Sequence, residues 1–143
     1  MTTLMQQEIF SEPSMLKRTV AACTPVLPAI AKAFKEKKIT NIVTMARGTS
    51  DNAATVFSFI CPLKTGIKVG KYHPSLTTVY DCDVDMQHTC MVVISQSGMS
   101  KDTIAVMEKA MKNGALTVAV TNNAQSPIAK NADFHLFMDV EEE

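Results

Sequence analysis

Two short segments of the chain are rich in hydroxyl side chains that can donate hydrogen bonds to an anion. They are residues 47–51 (RGTSD) and residues 95–100 (SQSGMS), and each follows an apolar run and precedes a stretch with helical spacing. A helix start adds free backbone N–H groups and a favourable dipole. Small hydroxyl side chains donate without blocking access, and Gly98 lets the backbone approach closely. The pattern predicts a phosphate-binding site.

The same residues also have a purely structural interpretation as helix caps. Thr49, Ser50, Ser100 and Asp102 each stand near an expected helix start, where Ser, Thr and Asp are common. For any one of them, capping is the simpler explanation. A helix start uses only one cap residue, however, and residues 95–100 hold three serines around a glycine. The cluster as a whole favours an anion site.

Other binding and catalytic motifs are missing from the sequence. It contains neither a GxxxxGK[ST] P-loop nor a GxGxxG dinucleotide motif. Ser97 is not a convincing nucleophile, because a GxSxG elbow needs glycine where Ser95 stands. The three histidines lack metal-ligand spacing, and the four cysteines form no CxxC pair. We therefore predict no metal, no cofactor, and reduced cysteines with structural roles.

The elements that must position these segments follow from the spacing of apolar residues. Short apolar runs occupy residues 42–46, 67–69, 91–94, 116–120 and 134–138. Between them, one helical face is marked by Ala53, Phe57 and Ile60 and another by Ile104, Met107 and Met111. This alternation predicts a doubly wound, flavodoxin-like α/β fold with five parallel strands between helices. Ligands of such folds bind beyond the carboxyl ends of the strands, where both hydroxyl-rich segments lie.

Residues 1–40 precede this pattern and are expected to form a helical arm, followed by a domain over residues 41–143. An apolar stripe recurs at helical spacing and comprises Leu16, Val20, Cys23, Leu27, Ile30 and Phe34. Pro25 and Pro28 predict a break or kink, giving one kinked helix or two short ones, with Thr24 as a cap for the second piece. The stripe is longer than one face of a small sheet requires, which favours a homodimer. The alternative is an arm that folds back over its own sheet.

Charge and hydropathy exclude several classes of partner. Fourteen basic residues balance fourteen acidic residues without a block of like charge, which argues against nucleic-acid binding. The first residues lack a basic region followed by a long apolar run, and no apolar stretch is long enough to span a membrane. We expect a cytoplasmic protein without a membrane partner.

Residues 46–53 (ARGTSDNA), residues 95–103 (SQSGMSKDT), Thr121-Asn122 and Ser126-Pro127 together resemble the SIS (sugar isomerase) domain family. Their order and spacing match along nearly the whole chain. The nearest likeness is to the first SIS domain of two-domain amino-sugar proteins. These are the isomerase part of glucosamine-6-phosphate synthase and the SIS-type glucosamine-6-phosphate deaminases.

The resemblance implies that the two loops bind a hexose or amino-hexose 6-phosphate. It assigns the phosphate to the second loop and contacts with the sugar to Thr49 and Ser50. The full set of implied binding residues is Gly48, Thr49, Ser50, Ser95, Gln96, Ser97, Gly98 and Ser100. Arg47 stands where the synthases usually carry Cys, so the resemblance favours the deaminase and deglycase branch.

Relatives in this family continue into a second SIS domain that carries the catalytic Glu, Lys and His. The present sequence stops at Glu141-Glu142-Glu143, which we interpret as a truncated linker or solvated tail. We therefore expect the first half of an amino-sugar-phosphate isomerase or deaminase, able to hold its ligand but to turn it over poorly alone. A regulatory sugar-phosphate sensor and a flavodoxin-like flavin or nucleotide binder remain alternatives.

Overall fold

Five apolar segments form one parallel sheet in the computed structural model, which describes residues 3–140. The strands are β1 (Asn41–Ala46), β2 (Lys68–Lys71), β3 (Thr89–Ile94), β4 (Leu116–Thr121) and β5 (Phe134–Phe137). They lie in the order β2-β1-β3-β4-β5, and every neighbouring pair is parallel. This is the flavodoxin-like doubly wound order, which confirms the predicted fold class.

Six α-helices flank the sheet in the described part of the chain. They are α1 (Leu4–Cys23), α2 (Leu27–Glu36), α3 (Ser50–Thr65), α4 (Ser75–Thr78), α5 (Lys101–Lys112) and α6 (Pro127–Asn131). Side chains of α4, α5 and α6 pack on one face of the sheet, and side chains of α2 and α3 pack on the other. None of the helices within residues 3–140 is both long and apolar enough to cross a membrane.

The central strand β3 is buried along its whole length and separates two apolar cores. Met91 and Val93 face the first core together with Met107 of α5. Cys90 and Val92 face the second core. An apolar run without alternation is what a strand covered on both faces requires, because neither set of side chains meets water.

Burial explains the chemistry of the cysteine in this strand. Cys90 is fully buried, and desolvation raises the pKa of its thiol to about 12. The thiol therefore stays protonated and unreactive at neutral pH. All four cysteines of the chain are free thiols in the structure.

Met107 provides a direct measure of how much the first core stabilises the fold. Its side chain is fully buried, so Met107→Ala should lower the free energy of unfolding by about 2–5 kcal/mol through lost burial and a cavity. Urea unfolding followed by circular dichroism measures the change. The control is Met5→Ala, since Met5 lies on a helix but is 70% exposed and its truncation should cost less than about 0.5 kcal/mol. Equal effects of the two changes would contradict this view of the core.

The arm consists of two helices joined by a 3-10 turn over Thr24–Val26, so the predicted break at the prolines is confirmed. The predicted role of Thr24 is wrong. Val26 occupies the N-cap of α2, whereas the Thr24 hydroxyl donates a hydrogen bond of 2.6 Å back to the carbonyl of Val20 in α1. Thr24 therefore ends the first helix rather than starting the second.

The apolar stripe of the arm divides between the protein's own core and the solvent. Ile30 and Phe34 pack on the second core, and the Cys23 thiol donates to the carbonyl of Phe137 in β5 at 3.4 Å. Three other members of the stripe are exposed: Leu16 at 65%, Val20 at 64% and Leu27 at 49%. The arm thus folds back over its own sheet and still leaves part of the stripe uncovered.

The inward face of α3 differs from the predicted one. Ala54 is buried and Phe57 and Cys61 pack on the second core, while Ala53 and Ile60 are exposed. The prediction failed because α3 is apolar on its outer side as well, where Val56, Phe59, Ile60 and Leu63 are all exposed. Periodicity cannot identify the buried side of a helix that is apolar all round. In α5 the predicted face of Ile104, Met107 and Met111 does pack on the first core.

Candidate functional site

The two hydroxyl-rich loops leave the sheet side by side at the point where the strand order reverses. The register pairs Ala46, the last residue of β1, with Ile94, the last residue of β3. From there α3 packs on one face of the sheet and α5 on the other. In doubly wound sheets, ligands usually bind at the carboxyl edge near such a reversal of strand order.

Residues 95–100, called the serine loop below, are organised by hydrogen bonds to their own hydroxyl groups. The backbone N–H of Gly98 donates to Ser95 Oγ at 3.2 Å, and that of Met99 donates to Ser97 Oγ at 3.3 Å. Both hydroxyl groups act as acceptors within the loop, so their hydrogens remain available for an external acceptor. Ser97 is exposed and Ser95 is half-buried. The loop is therefore an array of donors.

Gly98 allows the serine loop to rest directly on the start of α6. It is buried with a φ of +64°, and a Cβ added there would lie 2.2 Å from Ser126 Oγ. Ser126 is fully buried, and its Oγ accepts the N–H of Ala129 as the N-cap of α6. Glycine at position 98 thus permits close contact between the serine loop and Ser126 at the start of α6.

Two of the candidate cap residues do not use their side chains as caps. Thr49 and Ser100 occupy the N-cap positions of α3 and α5, but neither side chain makes a capping hydrogen bond. Ser50 is the first residue of α3. The first N–H groups of an α-helix have no intrahelical acceptor, so the start of α5 offers donors beside the serine loop. The alternative that Thr49 and Ser100 serve only as side-chain caps loses its support.

A cleft of about 380 Å³ opens between the serine loop and the ends of the two following strands. It is lined by Gln96, Ser97, Asn122, Asn123, Ala124 and Phe137. This volume lies within the range of small-molecule sites. Of the residues expected to bind the ligand, Gln96 and Ser97 line the cleft, whereas Ser95, Gly98 and Ser100 lie elsewhere in the serine loop. Gly48, Thr49 and Ser50 belong to the loop after β1 and do not line it.

Asn122, Asn123 and Phe137 are lining residues that the sequence did not identify as candidates. Asn122 is held by residue 140, because its Nδ2 donates to the Val140 carbonyl at 3.0 Å and its Oδ1 accepts the Val140 N–H at 3.2 Å. Both asparagines directly follow β4, so the rule that ligands bind at the carboxyl edge would have found them. Phe137 is the last residue of β5 and lies inside the predicted apolar run of residues 134–138, so the sequence presented it as a strand residue.

A histidine packs against Phe137 of the cleft, and burial favours its neutral form. Burial lowers the pKa of His135 below its ordinary value, although a hydrogen bond with Thr121 opposes the shift. The Thr121 Oγ1 lies 2.8 Å from His135 Nε2, and the ring packs edge-on against Phe137. Among residues 3–140, no three His, Cys, Asp or Glu side chains are grouped so that they could hold a metal ion.

Two ion pairs line the carboxyl edge beside the loops. Arg47 Nη1 lies 3.0 Å from Asp102 Oδ2, which joins the loop after β1 to the first turn of α5. Lys71, at the end of β2, contacts the carboxylate of Asp51 in the first turn of α3. Each pair links the end of one strand to the helix that follows the neighbouring strand.

The chain is similar to parts of several known proteins. A glutamine–fructose-6-phosphate aminotransferase (isomerizing) from Clostridium tetani is 30% identical over 143 residues, covering 93% of this chain and 23% of the relative. The same enzyme from Symbiobacterium thermophilum is 29% identical over 140 residues, with the same coverage. A candidate phosphosugar isomerase from Silicibacter pomeroyi DSS-3 superposes with a TM-score of 0.93 at 30% identity, covering 99% of this chain and 43% of that one.

The chain spans 23% of the length of these two curated relatives, so it corresponds to one part of each of them. The model of the SIS domain matches residues 34–143, which include every strand, both hydroxyl-rich loops and the cleft. The match covers most of the chain. It includes the two loops whose sequences resemble this family. The chain belongs to the SIS domain family.

Proposed function

We propose that residues 41–143 bind a hexose or amino-hexose 6-phosphate, with residues 1–40 as a helical arm. The observation that carries this proposal is the hydrogen bonding of the serine loop. The hydroxyl oxygens of Ser95 and Ser97 accept backbone N–H groups of their own loop. Both hydroxyl hydrogens are therefore left for an acceptor outside the loop. These donors stand beside the start of α5, where the helix dipole favours an anion. The relatives named for fructose 6-phosphate carry this family's domain and support the same class of ligand.

The proposed ligand extends from the serine loop into the neighbouring cleft. Its phosphate accepts hydrogen bonds from Ser95, Gln96, Ser97 and Ser100, and Gly98 shapes the loop around it. Gly48, Thr49 and Ser50 complete the pocket from the loop after β1. The cleft, with two asparagines that offer both donors and acceptors, takes the hydroxyl groups of the sugar.

We further propose that the chain forms the first half of an amino-sugar-phosphate isomerase or deaminase. Aldose–ketose interconversion needs a base positioned to move a proton between two carbons. The described residues that line the cleft include no carboxylate and no histidine. We therefore expect binding with little turnover by these residues alone. A sugar-phosphate sensor shares the binding step and differs in having no turnover at all.

Isothermal titration calorimetry with a matched set of sugars tests the proposed binding. The ligands are glucosamine 6-phosphate, fructose 6-phosphate and glucose 6-phosphate, each compared with the same sugar without phosphate. We expect binding of at least one phosphorylated sugar and none of its unphosphorylated counterpart. If the two forms bind equally, or neither binds, the serine loop is not a phosphate site.

We also propose that the protein is a cytoplasmic homodimer that covers the exposed part of the arm stripe. Leu16, Val20 and Leu27 remain in water in the single chain. Apolar patches of this kind usually mark interfaces, and each large side chain buried there contributes about 1.5–3 kcal/mol. A two-fold pair brings the same stripe of two copies together.

Light scattering of purified protein measures this assembly. We expect a dimeric mass for the unmodified chain and a monomeric mass for Val20→Asp and Leu27→Asp, because a buried unpaired carboxylate opposes association. Lys17→Asp is the matched control, since Lys17 is exposed beside the stripe and outside it. A monomeric mass for the unmodified protein at micromolar concentration would rule out the dimer.

A further inference from the structure

An ion pair between Arg47 and Asp102 joins the loop after β1 to the start of α5 at the carboxyl edge of the sheet. Arg47 directly follows β1, and Asp102 lies in the first turn of α5, two residues after Ser100. The guanidinium and the carboxylate are 3.0 Å apart. The pair therefore joins the two loops that the proposed ligand contacts.

Folding alone gives little reason for this pair. Both side chains are more than half exposed, and exposed ion pairs contribute little to stability. Asp102 also has no need of a cation, because the dipole of α5 already favours a carboxylate in its first turn. We therefore consider how the pair would affect the binding of an anion at the start of α5.

A phosphate at the serine loop would share the start of α5 with the carboxylate of Asp102. Like charges a few ångströms apart at a protein surface repel strongly enough to change an affinity about tenfold. The guanidinium of Arg47, which contacts the Asp102 carboxylate, offsets that repulsion. When Arg47 is paired with Asp102, the backbone N–H groups at the start of α5 can bind an anion without net repulsion from the Asp102 carboxylate.

We propose that Arg47 is a positioning residue for anion binding, acting by neutralising Asp102 beside the serine loop. This inference rests on the proposed function, since it concerns the same phosphate site. It gives the site a preference for ligands with a doubly charged phosphate, whose repulsion from an unpaired Asp102 is greatest. Neutral sugars gain nothing from the pair.

A similar ion pair elsewhere on the same edge supplies a matched control. Lys71 at the end of β2 contacts Asp51 in the first turn of α3, so it repeats the arrangement of cation, carboxylate and helix start. In the sheet, β1 separates β2 from β3 and its serine loop. Lys71→Ala therefore removes one positive charge from the same edge but leaves the pair at α5 intact.

Calorimetric titration of fructose 6-phosphate and glucosamine 6-phosphate into four variants tests the proposal. We expect Arg47→Ala to bind about tenfold more weakly than the unmodified protein. Adding Asp102→Asn to Arg47→Ala should restore most of that loss, because no unpaired carboxylate remains. Asp102→Asn alone should bind at least as tightly as the unmodified protein, and Lys71→Ala should change affinity less than about twofold. Melting temperatures should fall by no more than a few degrees in any of the four variants, because surface ion pairs and a carboxylate at a helix start each contribute about 1 kcal/mol or less.

The outcomes separate this proposal from the proposed function. If the unmodified protein binds neither sugar phosphate, the proposed function fails and this inference fails with it. If Ser97→Ala weakens binding while Arg47→Ala does not, the phosphate site stands and the role of Arg47 is overturned. A loss in Arg47→Ala that Asp102→Asn does not restore also overturns charge neutralisation.

Discussion

Ser97→Ala is expected to weaken the binding of fructose 6-phosphate by roughly tenfold to over one hundredfold. Loss of one hydrogen bond to a charged group typically costs about 1.5–3 kcal/mol, which gives this range. Ser97 is exposed, lines the cleft and accepts the Met99 N–H, so the substitution removes a donor to the ligand and a hydrogen bond within the loop. Isothermal titration calorimetry measures the change.

The matched control for this substitution is Ser14→Ala on the arm. Ser14 is an exposed serine on the arm whose hydroxyl donates to the carbonyl of Ser11, so its loss should leave the affinity unchanged. Ser95→Ala provides a second test, because Ser95 Oγ holds the Gly98 N–H in the same way. Unchanged affinity in both Ser95→Ala and Ser97→Ala would rule the serine loop out as the phosphate site.

Gly98→Ala should lower both stability and ligand binding. The new methyl group would lie 2.2 Å from Ser126 Oγ and 2.6 Å from Ser126 Cβ, and Ser126 is fully buried. An L residue at a φ of +64° also adds strain. Overpacking and strain together predict a loss of about 2–5 kcal/mol in the free energy of unfolding. Urea unfolding measures this loss, and calorimetry should show weaker binding because the serine loop must shift.

Gly66→Ala separates strain from steric overlap. Gly66 follows α3 with a φ of +73°, but nothing lies within 4 Å of a Cβ built there. Gly66→Ala should therefore lower the free energy of unfolding by only about 1–2 kcal/mol, which is the strain of an L residue in the left-handed region. If Gly98→Ala and Gly66→Ala destabilise the protein equally, contact between the serine loop and α6 is not what requires glycine at position 98.

Much of the architecture could be predicted because each strand carries its own signal. Strands covered on both faces are short and apolar throughout, so β1, β3 and β4 stand out from the amphipathic segments around them. Once the strands are known, the ligand edge follows from their direction. The sequence predicts the position of the serine loop in this way, and its role in binding is a prediction.

The features that could not be predicted depend on contacts between distant segments. The inward side of α3 was misjudged because its outer side is also apolar, and only packing on the sheet selects one side. Thr24 resembles a cap in sequence, yet its hydroxyl bonds back to Val20. The sequence places Phe137 inside the last strand, and only the observed end of β5 at this residue, beside β4, shows that Phe137 lines the cleft.

The placement of the arm also bears on how the sheet avoids aggregation. Open sheet edges offer unpaired backbone groups to other chains, and this sheet has two edges, β2 and β5. The first is only four residues long and carries lysine at each end. The second is reached by α1, whose Cys23 contacts the Phe137 carbonyl and whose Arg18 pairs with Asp139. The lysines therefore protect the β2 edge, and the helical arm protects the β5 edge. The arm thus hinders the pairing of other chains with β5, whether or not it also forms a dimer interface.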